Sequence, residues 1–243
     1  MIESAENIMR QSNVSNKLIG ALSPAAFTKI AAHLRPIQLP VGLKLVEPNR
    51  ICTQVVFPNT GIASVIGTMS HVWQELGLFG VEGMGPTSAI LSQAPSSKLV
   101  VMQVAGEGFC IDAAHLRELF DADAEIRQIL LAYTEAFIVQ LSHTAVANVQ
   151  CNTSERLARW LMMIQDRISS DQLTLTHEYI AAMLGVARVS VTLALRDLEA
   201  EGLISTSRKI IKINDRAGLL AKAAHYYGGP EREYTNIMST INS

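Results

Sequence analysis

The chain has 243 residues, of which 49% are hydrophobic and 17% charged, a balance that fits one large or two small folded domains and excludes disorder over most of its length. No apolar run reaches about eighteen residues and the opening MIESAENIMR lacks a signal-peptide profile, so a soluble cytoplasmic chain without a membrane partner is expected. The formal charge of −2 divides into −3 over residues 1–154, +2 over 155–226 and −1 over 227–243, a basic excess too small to point to nucleic acid by itself.

In chain order, residues 1–16 are polar and are expected to be frayed or loosely docked. LSPAAFTKIAAHL (22–34) starts as a helix, with Ser23 as cap and Pro24 at the first helical position. After Pro36 the texture changes to short β-branched runs cut by VG, EPN and PNTG turns. This texture continues through the Gly-rich WQELGLFGVEGMGPTSAILS to KLVVMQVAGEGFCID. Many short strands with frequent turns predict an antiparallel roll or barrel.

IDAAHLRELFDAD adds one short helix, and from Asp123 to about Cys151 there is neither Gly nor Pro. Along that stretch Ile126, Leu130, Tyr133, Phe137, Leu141, Thr144 and Ala147 recur at three- and four-residue steps, as in a coiled-coil seam. A helix this long with one apolar stripe is expected to cross a subunit interface; the alternative is a core helix within one domain. Asn152–Ser154 breaks it, with Thr153 or Ser154 as the next cap, and SERLARWLMMIQDRI turns Leu157, Trp160, Leu161 and Ile164 inward.

The stretch Thr176–Ile204 reads as two short helices joined by a tight turn. Thr176 caps the first, whose inward face is Tyr179, Ile180, Met183 and Leu184. Ala181 is small where a second helix crosses, and Gly185 stands where the chain turns with a positive φ. Val186, Val191, Leu195 and Leu198 form the buried stripe of the second helix, leaving Arg188, Ser190, Thr192 and Arg196 outward. This is the pattern of a helix-turn-helix; an ordinary helical hairpin is the alternative. ISTSRKIIKIND alternates as a two-stranded wing turning near Ser207–Lys209, and Asp215 caps a last helix, DRAGLLAKAAHYY. Residues 227–243 are expected to be a flexible tail.

Cys52, Cys110 and Cys151 contain no CxxC pair and read as small buried hydrophobes rather than a disulfide framework or a metal cluster. The histidines (His33, His71, His115, His143, His177 and His225) make no HxH or HxxxH pair, so neither a metal nor a cofactor is expected.

Roll, long helix, amphipathic helix, helix-turn-helix and wing, in this order over about residues 20–226, resemble the cyclic-AMP receptor protein/Fnr family of bacterial transcription regulators. The resemblance is carried by ERLARWLMMIQDRI leading to LTHEYIAAMLGVARVSVTLALRDLEAEGLI, by KIIKINDRAGL, and by VVFPNTGIASV with GVEGM. It implies an α+β fold with a jelly-roll-type antiparallel β-roll, similar to cyclic-nucleotide-binding domains, as sensor (1–122). A long dimerisation helix (123–152) and a C-terminal winged helix-turn-helix (153–226) would follow. It further implies a homodimer that reads an inverted repeat in double-stranded DNA and meets RNA polymerase. Helix 187–201 would lie in the major groove. Arg188 falls at the family position that commonly reads guanine, and Val189 falls where many relatives carry a glutamate. Ser190, Thr192 and Arg196 would add base or phosphate contacts. Thr176 and His177, with Arg208 and Lys209 of the wing, are placed for phosphates. Ile126, Leu130, Tyr133, Phe137, Leu141 and Thr144 would form the dimer interface.

In the nucleotide-binding type of this family a Gly-Glu pair binds ribose and an Arg-Ser/Thr pair binds the cyclic phosphate. Here Glu82 and Gly83 lie near the first position, and Ser96–Ser97 occupy the second. Without a guanidinium the phosphate loses a bidentate partner, and Lys98 is expected on the opposite strand face, so the sequence looks like a subgroup without the phosphate arginine. The sequence therefore argues against cyclic AMP and leaves the effector unnamed. No catalytic constellation is present: a cupin-like enzyme would need clustered His and carboxylate ligands. A winged-helix protein-interaction module and an orphan regulator without effector are the rival readings.

Overall fold

The computed structural model describes residues 10–241 except 70, 71, 93, 169, 224 and 225, so His71 and His225 lie outside the described residues. A short turn at Gln11–Asn13 precedes α1 (Lys17–Gly20). Asn16, expected in a loose segment, is fully buried. Its side chain accepts from Leu18 N and Ile19 N and donates to Pro58 O (3.0 Å) and Gly83 O (2.8 Å). Every polar atom of the amide is used, which ties this end of the chain to the roll. In α2 (Pro24–Ala31) the Ser23 hydroxyl accepts from Ala26 N, with Pro24 in the first turn.

Seven strands follow: β1 (Arg35–Leu39), β2 (Lys44–Val46), β3 (Gln54–Pro58), β4 (Ile62–Met69), β5 (Val72–Phe79), β6 (Lys98–Val104) and β7 (Gly106–Asp112), with the short α3 (Ser88–Leu91) before β6. They pair antiparallel in two sheets, β1-β7-β3 and β2-β6-β4-β5, the expected roll. Then come α4 (Ala113–Ala122), the 27-residue α5 (Ala124–Gln150) and α6 (Thr153–Gln165). Asn152, one residue before the expected caps, starts α6 through a reciprocal box with Glu155.

The third sheet, β8-β10-β9, is built from β8 (Gln172–Thr174), β9 (Ile204–Ser207) and β10 (Ile210–Ile213), with α7 (His177–Leu184) and α8 (Arg188–Ala200) between β8 and β9. Residues 172–174 were not expected as a strand; pairing with the wing supplies what their short local pattern does not show. The chain ends in α9 (Arg216–Ala223) and α10 (Gly229–Ile241).

Two cores hold these elements. One joins α1, α2, the roll interior and the inward face of α5, with Met238 of α10. The other joins Ile62, Ile66, Leu78 and Leu99 of the four-stranded sheet to α6–α9 and the wing, so the helix-turn-helix module is docked on the roll rather than tethered beside it.

Two expectations differ from the structure. On α5, Ile126, Leu130, Tyr133 and Phe137 are 7% exposed or less within the single chain, packed into its own roll. Leu141 packs against the same core. Thr144 is half-buried, its hydroxyl donating to Gln140 O (3.0 Å) and accepting from Arg159 Nη2 (3.2 Å). The seven-residue pattern located a buried stripe correctly but could not say which partner buries it. A second stripe of α5, with Leu131, Ile138, Val146 and Val149, is 44–80% exposed.

The tail from 229 to 241 is α10, not a flexible segment. Tyr234 and Met238, four residues apart, face α5 and the roll. Tyr234 Oη donates to Glu82 O (2.7 Å) and Met238 is buried. Burying such a side chain contributes about 1.5–3 kcal/mol, enough to hold a short helix that would not persist alone. Cys52 and Cys110 are buried as expected, whereas Cys151, at the joint of α5 and α6, is half-exposed.

Candidate nucleic-acid interface

The helix-turn-helix is built from its turn outward. Thr176 Oγ1 accepts from Tyr179 N (3.1 Å) to start α7. Gly185 ends it with φ +63°, and a Cβ there would stand 2.9 Å from the Gln74 side chain of β5. The left-handed backbone favours glycine, and a Cβ would also oblige the Gln74 side chain to shift. Arg156 of α6 donates to Leu184 O and so satisfies one of the last carbonyls of α7. Behind the turn, Ile180, Ala181, Met183 and Leu184 of α7 pack on Val191, Ala194, Leu195 and Leu198 of α8, all buried.

The opposite face of α8 is open. Arg188 and Arg196 are exposed, Val189 is 68% and Leu193 55% exposed, and Ser190 and Thr192 are half-buried. Arg188 Nε lies 3.0 Å from Glu178 Oε1 of α7, both side chains being about two-thirds exposed. A pair this exposed contributes less than about 1 kcal/mol and is readily exchanged for another acceptor. Thr192 Oγ1 donates to Arg188 O (3.2 Å) and lies 3.0 Å from His177 Nδ1. Because the single hydroxyl proton goes to the carbonyl, His177 Nδ1 is the donor to Thr192. This links the start of α7 to the second turn of α8.

Arg208 and Lys209 form the two-residue loop of the β9–β10 hairpin, both exposed, with Lys209 at φ +62° and its carbonyl accepting from Leu175 N (2.8 Å). At the root of the wing, Glu199 Oε1 accepts from Thr206 N and Thr206 Oγ1, both at 2.7 Å. The expected residues Thr176, His177, Arg188, Val189, Ser190, Thr192, Arg196, Arg208 and Lys209 thus belong to one compact module. Glu178 and Leu193 are additions. Leu193 stands apolar and exposed one turn on from Val189, and the spacing of the buried stripe does not mark it.

The roll does not bring Glu82, Gly83, Ser96 and Ser97 into one pocket. Glu82 Oε1 accepts from Arg167 Nε (2.6 Å), a pair only 14% and 8% exposed, and it borders a cavity of about 350 Å³ with Tyr133, Gln140, Arg167, Glu231 and Tyr234. Ser96 and Ser97 border another cavity, of about 190 Å³, next to α3. Phe137 is the residue that lines both. A Cβ on Gly83 would lie 2.5 Å from Tyr133 Oη, so the Tyr133 ring occupies the space beside the Gly-Glu pair. Ser96 Oγ is already bonded, donating to Lys98 O (2.9 Å) and accepting from Lys98 N (3.1 Å). Lys98, expected to face away, borders the same cavity as both serines. The strand begins only at Lys98, so alternation of faces does not apply to the bend before it. At the larger cavity Glu82 Oε2 is buried without a hydrogen-bond partner, and the buried Tyr133 hydroxyl lies near it and the Met84 backbone.

An antiparallel roll, a long helix and a winged helix-turn-helix docked on the roll define the Crp/Fnr fold. Residues 155–222 match the family model described as the Crp-like helix-turn-helix domain, and that segment is such a domain. No curated protein matches the chain in sequence. Among solved structures, a protein from Eubacterium rectale assigned to the crp/fnr family of transcriptional regulators is similar at 20% identity and a TM-score of 0.68, covering 86% of this chain and 98% of its own. The regulator CLP of Xanthomonas campestris, described as responsive to c-di-GMP, has 17% identity and a TM-score of 0.66 over 79% of this chain and 100% of its own. FixK2 from Bradyrhizobium japonicum has 15% identity and a TM-score of 0.66 over 79% and 98%. At these identities the likeness establishes the shared fold.

Proposed function

We propose that the chain is a homodimeric, sequence-specific DNA-binding transcription regulator of the Crp/Fnr type, not an enzyme, acting in the cytoplasm where its DNA is. The observation that carries this reading is the open first half of α8, with Arg188, Val189, Ser190 and Thr192 on a module that matches the Crp-like domain. Arg188 reads a base, and Arg208 and Lys209 hold the backbone. The two copies meet through the exposed stripe of α5, at Leu131, Ile138 and Val149, not through the stripe buried in the roll. RNA polymerase is the protein partner that the resemblance implies.

An effector of the roll, if the chain has one, enters the cavity between α5, α10 and Glu82, where Glu82 Oε2 awaits a hydrogen-bond partner. The split of the expected site argues against cyclic AMP, and so does the lining of the cavity at Ser96 and Ser97, which includes Lys98 but no arginine. A winged-helix protein-interaction module is the second reading, favoured by the exposed Val189 and Leu193. Selection of bound DNA from a random pool, repeated at two salt concentrations, separates the two. Enrichment of an inverted repeat with a salt-dependent affinity supports the regulator, and no enrichment at either salt supports the interaction module.

A further inference from the structure

The seam between the four-stranded sheet and the helix-turn-helix module encloses one carboxyl. Glu75 of β5 is 6% exposed, Ser64 of β4 is wholly buried and Gln103 of β6 is 6% exposed. From the module side, Trp160 Nε1 of α6 donates to Glu75 Oε1 (2.8 Å). Ser64 Oγ lies 2.5 Å from Glu75 Oε2 and 2.6 Å from Gln103 Oε1. The hydroxyl has one proton and faces two acceptors. With Gln103 oriented in this way, Ser64 donates to Gln103 and Glu75 supplies the other proton as a neutral acid. If Glu75 ionises, Ser64 must donate to it and the Gln103 amide must turn over to present Nε2, which has no partner in the present arrangement.

The charged and titratable groups facing this carboxyl are Arg159 of α6, Arg167 just beyond its end and Tyr179 of α7. Neither arginine bonds it. Arg167 is paired with Glu82, and Arg159 donates to Tyr226 O (2.9 Å) and Thr144 Oγ1 (3.2 Å). Tyr179 Oη is buried beside Ser64 and makes no bond to the carboxyl itself. A carboxylate here would be desolvated with no direct counter-ion, which disfavours the charged form.

We propose that Glu75 is a proton-linked latch: its neutral carboxyl holds the helix-turn-helix module on the roll, and its ionisation loosens that docking. Burial raises this carboxyl from 4.5 to about 7. Docking therefore takes up a proton. It is strongest below the ordinary carboxylate range, weakens as pH rises towards 7 and is level above that, the docking constant falling by about two orders of magnitude. The consequence for DNA rests on the function proposed above, because releasing the module frees α8 from its fixed position relative to α5.

Trp160 reports on the latch. The chain has two tryptophans, and Trp73→Phe leaves Trp160 as the single tryptophan in the full-length protein, excited selectively over the tyrosines. Its emission should shift to longer wavelength as pH rises from 5 to 8.5, with a midpoint near neutrality. The shift should vanish when Glu75→Gln is added, since a glutamine keeps the neutral hydrogen bonds at every pH. No shift over this range, or the same shift with Glu75→Gln, overturns the inference. In the unsubstituted chain with 13C-labelled glutamate carboxyls, one carboxyl should titrate about two units above the others; its absence overturns the latch whether or not the variants fold. Affinity for selected DNA is measured at pH 5.5 and 8 alongside. If Trp160 titrates as expected and no DNA is bound at either pH, the latch stands and the DNA-binding reading falls.

Discussion

Arg188 and Lys209 carry the same charge on the same module, and their settings suit them to different work. Arg188 projects from the first turn of α8 and is held only by an exposed pair with Glu178, whereas Lys209 sits at the tip of a two-residue hairpin loop. Arg188→Ala should weaken the selected site by about 1–3 kcal/mol per half-site and relax the preference at one symmetric base pair, because a bidentate base contact is lost. Lys209→Ala should weaken all sequences about equally and flatten the dependence on salt, as for a lost phosphate contact. Equal losses on selected and random DNA for Arg188→Ala would make it a backbone anchor and move specificity to Ser190, Thr192 or Arg196. In the roll, Ser96 spends its hydroxyl on Lys98, and Glu82 spends one carboxylate oxygen on Arg167. Calorimetry with cyclic AMP should then show no binding tighter than about 100 μM, equivalent to about −5.5 kcal/mol. A micromolar constant would show that Tyr133 and Arg167 move aside. Residues on the helix-turn-helix were legible in the sequence because the motif fixes a small residue, a glycine and two apolar stripes at set intervals. The separation of Glu82 from Ser96 was not, since the two line different cavities that meet at Phe137, whose placement depends on how α5 packs.

At the scale of elements, α5 shows what spacing can and cannot decide. Its length and one apolar stripe are plain in the sequence, but the helix has a second stripe, with Leu131, Ile138, Val146 and Val149, and spacing alone does not name the partner of either. Tyr133, Phe137 and Gln140 settle the matter for the first stripe. Tyr133 packs on Gly83, Phe137 joins the roll core, and Gln140 Oε1 accepts from Leu78 N (2.8 Å). The helix α10 was missed for a different reason. Gly228, Gly229 and Pro230 read as a break, and its two anchoring side chains, Tyr234 and Met238, give too short a pattern to stand alone. If the exposed stripe of α5 is where two copies meet, Ile138→Glu should yield monomers by light scattering with little change in thermal stability. Phe137→Glu should instead unfold the roll, because it forces a charge into the core. Dimers persisting in Ile138→Glu would remove α5 as the interface.

At the scale of the whole molecule, the fold order was legible because each element has its own texture: β-branched runs cut by turns, a long tract without glycine or proline, then the helix-turn-helix pattern and wing. Docking of the module on the roll was not, because Ile62, Ile66, Leu78 and Leu99 alternate like any strand residues, and nothing in a strand says what covers its outer face. That docking has a consequence for DNA. In a two-fold dimer each α8 is held at a set distance from α5, so the two recognition helices keep a set separation. Such a dimer reads half-sites about one helical turn apart, roughly 34 Å centre to centre. Inserting about five base pairs between the half-sites turns the second one to the far side of the duplex, and about ten restore the face at a greater distance. With the modules docked, the five-pair insertion should reduce binding to the level of a single half-site, and the ten-pair insertion should recover little of it, because a rigid pair of modules cannot follow. If both insertions bind as tightly as the unaltered site, the modules are not held by the roll when on DNA, and the separation of the recognition helices is set by the DNA instead.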